Sequence, residues 1–398
     1  MKRVIVIGRN YSTVLGLARS LGEAGYDVRL LALSGPVADV ASESRYISKT
    51  IYVPFDFFEE SSAEQEIKAL EELRGEEDKV LIIPARDITC LMLEKHWERM
   101  SEHFYFPNIN NTPGELSRFS DKDVQKKLAA ECGILTAGGK AYSTDDAGIA
   151  LAADESVFPC FAKPLSSSRS MHEKNYIAVC DDSASLSDMM KKAAEEGKCG
   201  RMLVEKKLDI IKELSAYGAA ANGNVYLPAV VETLRSGLGT HMGVAAEGIV
   251  LPSSSLGDLK EKLENFVKKS GISGLFCIDL AQCNDGIYFL EMNLRMGGSC
   301  YAVTMAGANL PAALADMVYS GSCKMNDIKG NINFLSEFIE IDNFLKGLIS
   351  FRTFFRHMSG CKNRFIKNKS DPKPWNKVKK IFLKTFIRNT AKKILRRK

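Results

Sequence analysis

Phe289-Leu290-Glu291-Met292-Asn293-Leu294-Arg295-Met296-Gly297-Gly298-Ser299 is the stretch that decides the fold, and Asp279 stands twelve residues before Glu291. Asp279 closes the apolar run Gly274-Leu275-Phe276-Cys277-Ile278, which reads as a strand. Asn284-Asp285-Gly286 reads as a tight turn, and Ile287-Tyr288-Phe289-Leu290 begins a second strand. A three-residue loop with Gly286 in the left-handed position pairs Cys283 with Ile287, and therefore Asp279 with Glu291. Asn293, two residues on, shares their face. Ile278, Leu280, Leu290 and Met292 then form the core face. A two-residue loop would turn one carboxylate into that core, which is costly for an unpaired charge. Two carboxylates and an amide carbonyl make a hard-oxygen set suited to Mg²⁺ with phosphate oxygens, and Arg295 adds a fixed cation. An exposed polar sheet face with an Arg–Glu pair accounts for the same residues, and this stretch alone leaves both readings open.

The chain of 398 residues is long enough for two or three domains, and 45% hydrophobic residues supply a sizeable core. Its ten cysteines show neither CxxC pairing nor the Cys/His spacing of a zinc site. No signal peptide and no run of about 20 apolar residues is visible, so the expected location is cytoplasmic, with the cysteines as reduced thiols. The net charge of +5 hides an asymmetry: residues 331–398 hold 18 Lys and Arg against 4 Asp and Glu, whereas the rest hold 36 against 45. An acidic body carries a basic tail.

Along the chain, Val4–Ile7, a helix with Leu15, Ala18 and Leu21 on one face, and Val28–Leu33 make a βαβ opening. Asn10 and Thr13 stand where a dinucleotide fingerprint requires glycine, which argues against NAD. Val80–Ile83 is a further strand. Ser120 or Asp121 caps a helix that runs to Glu131 and stops at Gly133. Residues 157–163 form a strand ending at Lys163, and Ser166-Ser167-Ser168-Arg169-Ser170 has the composition of an anion cradle or of a plain linker. Met202–Glu205 is another strand, with Glu213 eight residues later. Strands surround the turn Asn222-Gly223-Asn224, and Leu259–Lys269 is a helix stopped by Gly271.

This order of elements resembles the ATP-grasp superfamily, whose members include D-alanine–D-alanine ligase, the carbamoyl-phosphate synthase large subunit and biotin carboxylase. The resemblance covers roughly residues 1–325. It is most specific at 274–299 and at 119–136, where Asp121-Lys122 precedes Gly133-Ile134-Leu135-Thr136. It implies an α/β chain with a Rossmann-like pre-ATP-grasp domain at 1–110 and an α+β ATP-grasp domain at 111–325. The smaller lid of the second domain would lie at about 120–205. A basic helical extension follows at 326–398.

The same resemblance implies ATP and Mg²⁺ (or Mn²⁺) as cofactors and assigns roles residue by residue. Lys122 and Lys163 would contact the phosphates, with Lys126 competing for the role of Lys122. Ser166, Ser167 and Ser168 would close over the β- and γ-phosphates. Glu205, with the backbone from Lys206 to Leu208, would meet the adenine edge, and Glu213 the ribose. Asp279, Glu291 and Asn293 would hold the metal, and Arg295 would be the catalytic cation. Arg235, His241 and Ser299 are candidate substrate contacts. Departures are the glycine-free loop at 166–170, Leu294 in place of a proline, and Cys277 where D-alanine-type ligases carry an arginine.

The reaction implied is carboxylate–amine ligation through an acyl phosphate, with small-molecule acid and amine substrates. A thiol acceptor, bicarbonate as the acid, or a non-catalytic ATP-binding regulator are the alternatives. In the tail, residues 344–355 mix Phe, Leu and Ile with Lys346 and Arg352. Asp371-Pro372-Lys373-Pro374 is a break, and Trp375–Lys398 gathers Val378, Ile381, Phe382, Phe386 and Leu395 near one helical face. A basic amphipathic helix suits an anionic membrane surface, here the inner one, or a lipid-linked or polysaccharide precursor. Packing on the acidic body is the other reading. Nucleic acid is disfavoured, because no recognition module accompanies the charge.

Overall fold

The computed structural model describes residues 1–9, 11–33, 35, 39–53, 60–165, 176–196, 199–239, 243–328 and 330–395. Three sheets organise them. The first has five parallel strands in the order Ile47–Tyr52, Asp27–Ala32, Arg3–Gly8, Val80–Pro84, Phe104–Tyr105. Its near-continuous apolar strands are what a parallel sheet covered on both faces requires. Val4 and Val6 face the helix Tyr11–Glu23 in one core, while Ile5 and Ile7 face the helix Glu60–Arg74 in another. The strand order reverses between Arg3–Gly8 and Val80–Pro84, and such a switch point is where open α/β sheets bind ligands.

The second sheet is small: Ala178–Cys180, Cys160–Pro164, Arg201–Lys206 and Lys140–Ser143, all antiparallel. The third has nine strands. Its centre is the antiparallel run Ala245–Pro252, Asn224–Ser236, Lys212–Ala221, Ile272–Cys283 and Gly286–Asn293. One face is sealed by the amphipathic helix Leu259–Ser270 through Leu263, Phe266 and Val267, which meet Phe276, Ile278, Leu280, Phe289 and Met292. The other face receives the helices Cys300–Met305 and Leu310–Ser320, and through them the helix Tyr11–Glu23 of the first sheet. The cap and stop expected for the helix near 122 hold: Asp121 accepts from the Asp123 N–H at 2.8 Å, and Gly133 takes φ +71° beyond Lys122–Glu131.

The C-terminal segment is built into this body. The helix Glu337–Leu345 carries Glu337, fully buried, whose carboxylate accepts the N–H groups of Phe365, Ile366 and Lys367 at 2.8–3.0 Å. Asp371, expected to sit in a break, is also fully buried. It accepts from Arg19 Nε at 2.9 Å, Ser44 Oγ at 2.7 Å and the Arg45 N–H at 3.0 Å. Arg19, equally buried, also donates to the carbonyls of Phe365, Ile366 and Asp371. The helix Lys373–Leu395 starts directly after this anchor, with Pro374 in its first turn, where proline is tolerated. Val378 packs into the core with Trp375 and Phe382 beside it, but Ile381 is exposed rather than on the packed face. Asp371→Asn leaves the buried Arg19 charge without its counter-ion, so it is expected to destabilise the protein by about 3–5 kcal/mol in urea unfolding. A loss under about 1 kcal/mol would mean the anchor is not what ties the segment down.

Candidate active site

The central hairpin pairs Asp279 with Glu291, but by another route than the expected loop. The turn has two residues: Cys283 pairs with Gly286, Gln282 with Ile287 and Leu280 with Phe289. A β-bulge between Asp279 and Leu280 then inserts Leu290 as an extra residue, which restores Asp279 opposite Glu291. The three-residue loop is therefore corrected, and so is the core face. Phe289 is fully buried among Ile278, Leu280 and Met292, whereas Leu290 is half-buried outside that cluster. The burial cost that spoke against a two-residue loop is avoided by the bulge.

On the shared face Asp279 accepts from Ser215 Oγ at 2.7 Å and Asn293 Nδ2 at 2.9 Å. Arg295 donates to Asn293 Oδ1 at 3.3 Å and pairs through Nε with Asp87 Oδ2 at 2.9 Å. Asp87 follows the strand Val80–Pro84, so the switch point of the first sheet meets the hairpin of the third. Burial and then the Glu291 charge push the Asp279 carboxyl up to about 6. Burial also pushes Glu291 up, but Lys122, Lys163 and Arg295 outweigh it and hold it at about 2. Cys277 lies with its Sγ 3.8 Å from Asp279, and burial keeps its thiol well above the usual range, hence neutral. Two adjacent carboxylates, one of them reluctant to ionise, and an amide oxygen fit a hard divalent cation such as Mg²⁺. Among the described residues no three His, Cys, Asp or Glu side chains converge as a self-sufficient metal cluster, so such a cation would draw its other ligands from phosphate or water.

A cationic wall faces this set. Lys122 pairs with Glu291 at 3.1 Å, Lys163 with Glu205 at 2.7 Å, and Lys126 with the other oxygen of Glu205. All four of Lys122, Lys126, Lys163 and Glu205 are buried. Burial, then Lys163 and Lys122, push Lys126 down to about 6, and burial, then Lys122, push Lys163 down to about 8. Lys122 and Lys126 are one turn apart on one helix, so both can face the site. Lys163 reaches it from the strand Cys160–Pro164 and Glu205 from the strand beside it.

The other expected residues are placed as follows. Glu213 is exposed and within 3.4 Å of Ser236 Oγ; Lys206 is exposed and Leu208 half-buried. Ser299 is buried just before the helix Cys300–Met305. Arg235 is held by Glu340 and, at 3.2 Å, by Glu247. Ser166, Ser167, Ser168 and His241 lie outside the described residues.

Sequence reasoning missed Gln125. Its buried side chain accepts from the Met292 N–H at 2.8 Å and donates to the carbonyls of Met292 at 2.9 Å and Phe119 at 3.0 Å. It clamps the peptide between Glu291 and Asn293, and its only sequence signal is a polar residue at Lys122 plus three. Ser215 and Asp87 were missed too, because cross-strand and inter-sheet partners leave no local signature. Gln125→Leu leaves three backbone groups unpaired. It is expected to cost about 2–4 kcal/mol of stability in denaturant titration, and a change below about 0.5 kcal/mol would show that the clamp carries nothing.

No protein-family model matches the sequence. Over 306 residues the chain is 26% identical to the carbamoyl phosphate synthase large chain of Gemmatimonas aurantiaca. That likeness covers 75% of this chain and 26% of the relative, so the chain spans about a quarter of the relative's length. In fold it is similar to N5-carboxyaminoimidazole synthetase from Staphylococcus aureus complexed with ADP, with a TM-score of 0.64 at 15% identity over 90% of this chain and 86% of the other. It is likewise similar to the L-amino acid ligase from Bacillus licheniformis, with a TM-score of 0.61 at 14% identity over 84% and 80%. Strand order, sequence likeness and fold likeness agree: the chain has the fold of the ATP-grasp ligases.

Proposed function

We propose that this protein joins a small carboxylic acid to an amine at the expense of ATP, through an acyl phosphate. The observation that carries the reading is the convergence of Lys122, Lys126 and Lys163 with Asp279, Glu291, Asn293 and Arg295 where the three sheets meet. The fold likeness to an L-amino acid ligase supports it. The acid lies at the switch point beside Arg295. Its carboxylate oxygen attacks the γ-phosphorus and ADP leaves; the amine then attacks the acyl carbon, loses a proton, and phosphate leaves. The protein's part is positioning and charge neutralisation. Arg295, kept charged by Asp87, faces the negative charge of the acyl phosphate. A Mg²⁺ ion held by Asp279, Glu291 and Asn293 would neutralise phosphate oxygens.

Lys122 and Lys163 bind the phosphates, with Ser166, Ser167 and Ser168 closing over them. Glu205 pairs with both Lys126 and Lys163. Entering phosphates compete for those lysines and release the Glu205 carboxylate to the adenine amino group, next to the backbone of Lys206 and Leu208, while Glu213 takes the ribose. A lipid-linked or polysaccharide precursor is the narrower class of substrate that the basic C-terminal segment supports. The sequence likeness to carbamoyl phosphate synthase favours bicarbonate as a second reading for the acid.

A screen of ADP release over acids, amines and bicarbonate tests the reaction. Glu291→Gln is expected to lower ADP release by about 10²-fold or more with the unfolding midpoint retained; unchanged turnover would remove Glu291 from the site. The lysines give a second check. Phosphates raise lysine pKa values, so nucleotide binding takes up protons while Lys126 (about 6) and Lys163 (about 8) are partly neutral. Uptake is expected to set in above about pH 6 and to grow as Lys163 loses its proton near 8, and it vanishes below about 5, where both are already charged. Binding heats at pH 7 should therefore depend on the ionisation enthalpy of the buffer, and identical heats in two buffers would contradict the assignment.

A further inference from the structure

The segment after residue 330 contains four acidic side chains, and internal contacts engage every one of them. Glu337 accepts three backbone N–H groups. Glu340 holds Arg235 and, at 2.8 Å, His357. Asp342 pairs with Lys346 at 2.6 Å, and Asp371 holds Arg19. Three of the four, Glu337, Glu340 and Asp371, are fully buried. The charge that this segment turns outward is therefore basic, with Arg352 and Arg356 on the helix Phe351–Gly360 and Lys379, Lys380, Lys384 and Arg388 on the helix Lys373–Leu395 all exposed.

Apolar side chains stand among those cations. Phe344 is the hub of an aromatic cluster, with ring centroids 4.9–6.1 Å from Phe351, Phe354, Phe382 and Phe386. Its rim does not close: Phe351 is 63% and Phe355 53% exposed. Leu383 and Ile387, one turn apart and so on one helix face, are 58% exposed each. Leu348 adds another exposed aliphatic chain. A nucleic acid would answer the charge but gives exposed Leu and Ile no partner. A second copy of the same surface would be repelled by its own charge. An anionic bilayer answers both features, because its phosphates meet the lysines and arginines while the acyl boundary takes the apolar chains.

We propose that the helices Phe351–Gly360 and Lys373–Leu395 form a monotopic docking surface for anionic lipid, with Phe351, Phe355, Leu383 and Ile387 entering the headgroup layer. Among the described residues no helix is long and apolar enough to cross a membrane, in keeping with a surface that lies on the bilayer. The inference stands independently of the ligase reading, since it uses none of the site residues.

Flotation of the full chain with phosphatidylcholine vesicles, with and without phosphatidylglycerol, tests it. The protein is expected to float with the anionic vesicles only, and added salt to weaken binding without abolishing it. Replacing Leu383 and Ile387 together by Ser should lower the bound fraction about tenfold at an unchanged unfolding midpoint. Should that pair fail to fold, Phe355→Ser alone, also exposed, gives the same reading. No preference for anionic vesicles overturns the proposal. So does binding that the Ser variants leave unchanged, and if RNA is then bound equally well the surface is a site for polyanions in general.

Discussion

Two carboxylates side by side on one sheet face repel each other, and the architecture around Asp279 and Glu291 is arranged to compensate that repulsion. Asp279 resists ionisation, while Glu291 is held charged by lysines from the helix Lys122–Glu131 and the strand Cys160–Pro164. Arg295 closes the ring and is itself balanced by Asp87 from the first sheet. Each compensating charge comes from a different element, so the pair can exist only when all three sheets are in place. The site is thus a product of the tertiary structure, and its charges resist burial until they meet.

Much of this was legible because strong local signals coincided. The apolar alternation of the hairpin, the Asp121 cap with the Gly133 stop, and lysines ending a strand or opening a helix each fix a position within one element. The bulge was not legible. Leu290 and Phe289 are both apolar, so alternation cannot say which one is the extra residue. Gln125 was invisible for another reason: besides the nearby Phe119 carbonyl, it holds both backbone groups of Met292, 167 residues away in sequence. The contact of Glu205 with two lysines likewise depends on how two sheets approach, and no spacing along the chain encodes that.

The C-terminal segment shows how composition can mislead about placement. A net excess of basic residues suggested an appendage, yet its few acids serve to fasten it. Asp371 reaches the first helix and Glu337 gathers three consecutive backbone donors, which ties Phe365, Ile366 and Val378 into the core. The same economy leaves the outer charge one-sided. Fastening from within and presenting a surface without are two results of one distribution of four carboxylates.

The bulge at Leu290 also separates two phases of one hairpin. On the turn side, strand register follows the two-residue turn; on the site side, it follows the carboxylate pair. Changes at Asn284-Asp285 can therefore be absorbed before they reach Glu291, which makes the turn a tolerant place for insertion. Removing Leu290 alone would erase the bulge and leave Asp279 opposite Glu291 in a regular ladder. Leu290 is thus the residue that the hairpin can spare, and the bulge keeps its presence from turning Glu291 into the core.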